Sequence, residues 1–205
     1  MKTVRKIEDI AHKMRLMGDN VDILNESALI QTPKNSGITS LYRLENNRLV
    51  LGCKYSEINK VNNSEICITK STIGKYGLID FKGNPIIEPG YIDIDDRHEG
   101  ILIATLGNGL KSILNYEGNE LVPYTMSSVK IVDTVLGYII DSKTHNINSN
   151  LMLIKYGGDT ATLEKLEKLN KEIAHRSYII KYDRIVILDK NKENLEISLT
   201  SECIK

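Results

Sequence analysis

The chain has 205 residues, enough for one ordinary domain that buries its own core without disulfide or metal staples. Lys and Arg number 27, as do Asp and Glu, so the formal net charge is 0 and no global field draws the chain to nucleic acid or to an anionic membrane. A hydrophobic content of 41% with 26% charged residues argues against disorder, and no apolar run approaches the roughly 20 residues of a membrane span.

Residues 3–17 open the chain with a predicted helix. Val4, Ile7, Ile10, Ala11, Met14 and Met17 form an apolar stripe, Thr3 is placed to cap its start and Gly18 to end it. The N-terminal stretch is charged throughout, unlike a secretory leader. Cys53, Cys67 and Cys203 form no C-x-x-C pair and leave an odd count, which predicts reduced thiols and a cytoplasmic location. The 29 Ile and 18 Asn against 5 Ala, with 20 Lys against 7 Arg, follow AT-rich codons and predict a bacterial or phage source.

The chain then repeats itself. Residues 41–50 (LYRLENNRLV), 77–87 (GLIDFKGNPII) and 112–122 (SILNYEGNELV) align at offsets of 37 and 35 residues by position. Apolar residues match apolar residues, and Asn-Asn or Gly-Asn occupies each centre. Each unit reads as two strands joined by a two-residue turn of residues that tolerate positive φ. A second phase aligns residues 66–70 with 101–105 and residues 100–103 with 137–140, and places Gly74 on Gly109. A third aligns residues 55–58, 91–94 and 126–129. Three phases agreeing on one period of 35–37 residues identify a repeat architecture.

Residues 74–91 with 98–102 carry a recognisable pattern: Gly74-Lys75-Tyr76-Gly77-Leu78-Ile79-Asp80, then Gly83, Ile86-Ile87, Tyr91 and Glu99-Gly100. This unit resembles the WG repeat, also called KWG, of bacterial proteins. The resemblance is close over 74–103 and weak elsewhere, and Tyr76 and Tyr156 stand where that family has Trp. It implies successive β-hairpins and an interaction role.

The fourth unit departs from the pattern. Residues 138–141 open a hairpin with a long loop at 142–150, and residues 155–157 copy Lys75-Tyr76-Gly77. Leu163, Leu166, Leu169 and Ile173 then fall on one helical face, predicting an inserted helix near 160–175. Strands at 185–188 and 195–199 follow, around Asn191. The predicted fold is mainly β, α+β overall: stacked β-hairpin repeats with an N-terminal capping helix and the inserted helix. The predicted organisation is one structural domain made of a helix and cap segment (1–36), the hairpin repeats (37–157), and a helix with a final hairpin packed on the repeats (158–205).

Chemistry-bearing motifs are sparse. Asp93, Asp95, Asp96, Arg97, His98 and Glu99 form the richest polar cluster, but lack calcium-loop spacing and a second ligand cluster, so they read as a solvated loop. Residues 106–112 lack the Gly-Lys-Ser of a phosphate loop, and neither G-x-S-x-G nor H-E-x-x-H is present. Cys67 reads as a small packed residue. The six tyrosines at repeat positions, Tyr42, Tyr76, Tyr91, Tyr116, Tyr156 and Tyr182, read mainly as packing residues whose hydroxyls reach the surface, and such residues also make interface hot spots. No catalytic residue, metal ligand or cofactor is predicted. The expected function is binding another protein, without membrane or direct nucleic-acid contact, as an inhibitor, immunity or counter-defence protein. The alternative is an accessory subunit of a nucleic-acid-processing complex. Binding residues concentrate on irregular loops and inserts, which selects His145, Asn146 and Asn148 in the long loop and Lys165, Lys168 and Glu172 on the inserted helix. Asp95, Asp96, Arg97 and His98 are the further candidates.

Overall fold

A computed structural model describes residues 2–46, 48–143, 149–156, 160–161, 166, 168, 170–171, 177–188 and 194–200, without the side chains of 2–5, 123–126, 149–150 and 160–161. The chain divides into two compact units: Met1–Gly107 with Tyr116–Asn119, and Asn108–Asn115 with Glu120–Lys205.

The first unit opens with helix α1 (Lys2–Leu16). Its Ile7, Ile10, Ala11 and Met14 pack against Val21 and Leu29, so the helix lies on the first sheet. The Arg15 guanidinium donates to the Val21 carbonyl and ties the helix to that sheet. Gly18, at φ 92°, ends the helix, and Asp19 N–H reaches back to the Met14 carbonyl at 3.3 Å, the long bond of a Schellman motif. Met17 is exposed and leaves the predicted stripe, because it lies past the last helical turn. The predicted roles of Thr3 and Val4 fall on side chains outside the described ones.

Strands β1 (Asn20–Asn25), β2 (Ala28–Thr32), β3 (Thr39–Glu45) and β4 (Arg48–Tyr55) form an antiparallel meander, as do β5 (Glu57–Lys60), β6 (Ile66–Lys70), β7 (Tyr76–Asp80) and β8 (Pro85–Tyr91). β9 (Asp93–His98) pairs with β10 (Ile101–Thr105). Leu24, Ala28, Ile30 and Leu41 of the first meander meet Ile58, Cys67, Ile79 and Phe81 of the second meander and its last turn in one buried cluster. β1 and β2 went unread in the sequence. A register shift between Ile23 and Asn25 gives β1 two buried residues, Val21 and Leu24, three positions apart, which hides the period of two.

In the second unit β11 (Lys111–Asn115) pairs with β12 (Glu120–Met126). β13 (Ser128–Thr134), β14 (Gly137–Lys143), β15 (Ser149–Lys155) and the short β16 (Thr160–Ala161) form a third meander, and β17 (Ser177–Ile180), β18 (Arg184–Leu188) and β19 (Leu195–Ser198) a three-stranded sheet. Ile139, Leu151 and Leu153 bury with Ile185, Ile187, Leu199 and Leu166. The fold is therefore mainly β, built of small antiparallel sheets, as the repeat predicts.

Equivalent strands β1, β5, β9 and β13 begin at Asn20, Glu57, Asp93 and Ser128, intervals of 37, 36 and 35 residues. Their backbone bonds repeat as well. At three junctions Ser56, Ile92 and Ser127 donate N–H to the carbonyls of Lys70, Thr105 and Lys143, each at the end of a second strand, at 2.9, 2.9 and 2.8 Å. Gly74 and Gly109 share φ of 77° and 82°.

Five local expectations are corrected. Of the three aligned units, only β3–β4 turns over two residues; β7–β8 and β11–β12 each use four. The reason is visible at Asp80, whose carboxylate accepts from Lys82 N–H, Asn84 N–H and the Asn84 amide, closing a wider turn around Gly83 at φ 87°. The loop expected at 142–150 is shorter: β14 and β15 stay paired through Ser142↔Asn150 and Lys143↔Ser149. Thr160 and Ala161 extend the third meander as β16, pairing with Ile154 and Leu153, so the inserted helix does not begin at 160. Helical backbone is present at 166, 168, 170 and 171. The copied Lys-Tyr pair is not equivalent in space, since Tyr76 opens β7 while Tyr156 follows β15. Finally, Asp95, Asp96, Arg97 and His98 lie in strand β9, not in a loop, because Ile94 is buried and carries the segment into the sheet.

Candidate functional site

Strand β9 spends much of its charge on itself. Asp95 accepts from Arg97, from its Nε at 2.9 Å and also from Nη2. Those bonds hold the Asp95 carboxyl below the usual carboxylate range. The Arg97 side chain is 82% exposed, so the pair is solvated. Glu99, just past the strand, accepts from the Asn63 amide at 3.3 Å. Among the described residues, no group of three or more His, Cys, Asp or Glu is placed to hold a metal ion.

Of the other selected residues, His145, Asn146, Asn148, Lys165 and Glu172 lie outside the described residues. Lys168 is exposed on the helical segment of the second unit. That segment has a structural role. Leu166 is buried in the core, and the Asn170 amide pairs with both backbone groups of Leu151, at 2.9 and 3.2 Å. Asn170 thereby satisfies backbone polar groups of β15 at a position where its pairing with β16, at 153 and 154, does not reach.

The first unit holds a cleft of about 380 Å³ between its two meanders, lined by Arg43, Glu45, Glu65, Asp80 and Phe81 among others. Most of its polar groups are already engaged. Arg43 pairs with Glu45 at 2.5 Å and donates to the Lys82 carbonyl at 3.1 Å, while Asp80 closes its own turn. Nearby, burial pushes the Cys53 thiol up to about 11 and the Cys67 thiol to about 12, which keeps both protonated and poor nucleophiles.

The second unit carries a different arrangement. Tyr156, just beyond β15, is 51% exposed, and Tyr182, between β17 and β18, is 63% exposed. The Tyr156 hydroxyl is bonded to the Asp133 carboxylate and to the Thr134 carbonyl, and the bond to Asp133 holds the phenol well above its ordinary value. Its ring meets the buried Tyr138 edge to face, with centroids 5.4 Å apart and planes at 78°. Val135, also exposed, donates its N–H to the Tyr182 carbonyl at 2.8 Å. Three consecutive residues, Asp133 and Thr134 at the end of β13 and Val135 in the turn after it, thus bond the Tyr156 side chain and the Tyr182 backbone. The turn is shaped by Gly137 at φ 147°, where a Cβ would collide with the Ile154 carbonyl. The sequence marks Tyr156 and Tyr182 as repeat positions, mainly packing residues of a type that also makes interface hot spots, but not Asp133 and Val135, because their meeting depends on contacts 23 to 47 residues apart in sequence.

No family model and no curated protein matches the chain. Among solved structures it is similar to the C-terminal WD40 domain of Sif2, with a TM-score of 0.30 at 10% identity, covering 88% of this chain and 57% of that one. It is also similar to the WD40 β-propeller domain of Doa1, with a TM-score of 0.32 at 8% identity, covering 90% and 66% respectively. The chain therefore spans less than two thirds of either structure's length. Both scores fall below the range that marks a shared fold, so this likeness sets neither fold nor function. Among the described residues, no helix is long and apolar enough to cross a membrane.

Proposed function

We propose that this chain is a non-catalytic protein-binding module whose docking face includes Tyr156, Tyr182 and Val135. The observation that carries the reading is the pair of exposed tyrosines bonded by three consecutive residues, Asp133, Thr134 and Val135. Large rigid rings with a polar tip supply contact area at low entropy cost and are enriched at binding hot spots. The engaged polar groups of the cleft and the protonated thiols support the non-catalytic part. As the narrower role we propose an inhibitor, immunity or counter-defence protein, on the chain's size and AT-rich composition. The alternative is an accessory subunit of a nucleic-acid-processing complex; of the basic residues on α1, Arg15 is already bonded to the Val21 carbonyl. Kinship with WG repeats is supported by the interval of 35–37 residues between equivalent strands.

The test is affinity capture from the native host with wild type, with Tyr156→Ala/Tyr182→Ala and with Asp96→Ala/Arg97→Ala, each checked for an unchanged circular dichroism spectrum. A partner lost only with the tyrosines supports the reading. A partner lost only with Asp96 and Arg97 moves the docking face to β9.

A further inference from the structure

We propose that the Tyr156–Tyr182 face takes a cationic side chain, a guanidinium or ammonium group presented by the partner protein, against the open tyrosine rings and beside the Asp133 carboxylate. This rests on the protein-binding reading and gives its partner a chemistry. Tyrosine ring faces carry negative quadrupole density, and cations pack against them. The Tyr156 ring is already fixed, by its hydroxyl on Asp133 and Thr134 and by its edge-to-face contact with Tyr138, so little side-chain entropy is lost on binding. Asp133 is exposed, and one of its carboxylate oxygens accepts the Tyr156 hydroxyl. A carboxylate offers about four lone-pair positions, so acceptor capacity for a partner's N–H groups is left over. A strongly perturbed phenol also stays neutral and donating, which keeps the carboxylate in place.

Arg184 is paired with Asp183 at 2.6 Å and with Glu196 at 2.9 Å, so that basic group is spent within its own sheet. Lys155 and Lys181 adjoin the two tyrosines in sequence. They set the competing outcome, in which the face prefers an anion.

The experiment follows the ring resonances of the full chain, carrying ¹³C-labelled tyrosine, by NMR. The probes are N-acetyl-argininamide, N-acetyl-norleucinamide as an apolar control, and N-acetyl-glutamate amide as the anion. Saturable shifts of Tyr156 and Tyr182 with the arginine probe alone are expected, in the millimolar range. Asp133→Asn keeps an acceptor for the Tyr156 hydroxyl but removes the charge, and is expected to weaken binding about fivefold. Tyr182→Ala removes one ring and is expected to weaken it about threefold. The proposal is overturned by absent or unsaturable shifts, by equal response to the norleucine or glutamate probe, or by unchanged affinity in both variants. Such a result leaves the tyrosine face as a docking surface to be judged by the capture experiment alone.

Discussion

Tyr76 and Tyr156 each follow a lysine, yet they meet different surroundings. Tyr76 opens β7 in the first unit, sits opposite Tyr91, and has the Lys70 ammonium 5.3 Å above its ring, with Lys70 itself paired to Glu57 at 3.1 Å. Tyr156 lies past the end of β15 in the second unit, with its hydroxyl drawn onto Asp133 and half of its surface in solvent. The first arrangement consumes its ring face and its charges internally. The second leaves half of the Tyr156 surface and the Asp133 carboxylate exposed. Position along the strand decides the difference: a residue inside the ladder is flanked by cross-strand neighbours, and a residue one step beyond is not.

The comparison is broken most directly at the glycine that shapes the second arrangement. Gly137→Ala places a Cβ against the Ile154 carbonyl at a φ that L-residues rarely adopt. It is expected to destabilise by about 3 kcal/mol, read as a lower urea midpoint, with amide exchange rising first in β13–β15. Ile79→Ala tests the opposite unit: a fully buried side chain between two meanders is removed, costing about 3 kcal/mol, with exchange rising first in β5–β8. If both variants loosen the same amides, the division into two units is wrong.

Asp80→Ala sharpens the contrast on a smaller scale. It removes three hydrogen bonds from the β7–β8 turn and is expected to cost about 1–2 kcal/mol by urea denaturation, leaving the tyrosine resonances of the second unit unmoved.

The thiols give a pH test of the first unit. Burial raises Cys53 to about 11 and Cys67 to about 12 from an ordinary 9.0. Above pH 9 the unfolded chain has released these protons while the folded chain still holds them. Their contribution is therefore complete below pH 9 and is lost as pH climbs toward 11–12. The urea midpoint is expected to fall between pH 8 and pH 10, and to fall less in Cys53→Ala/Cys67→Ala; an identical slope in that variant would refute the assignment. The smallest effect is expected at Arg97→Ala, whose exposed pair with Asp95 should leave the urea midpoint unchanged at any salt concentration.

The period of 35–37 residues was legible in the sequence, because apolar alternation and turn residues recur at fixed distance, and the strands β3–β4, β6, β7–β8, β10 and β11–β12 follow from it. α1 was legible as well, since Ile7, Ile10, Ala11 and Met14 keep a helical spacing. β1 was not, because its bulge breaks the period. β9 was not, because Asp93, Asp95, Asp96 and Arg97 mask the single buried Ile94 that makes it a strand.

What the sequence by itself determined is local: where strands and turns recur, where the first helix stops, and that Cys67 is a small packed residue. These follow from periodicity and backbone preference within a few residues. What only the tertiary structure decided is which ends meet. Asn170 reaches the backbone of Leu151, Tyr156 reaches Asp133, and Val135 bonds Tyr182, across 19, 23 and 47 residues. No local pattern encodes these meetings. They arise because burying Leu151, Leu153 and Leu166 with Ile185 and Ile187 brings distant segments of the second unit together.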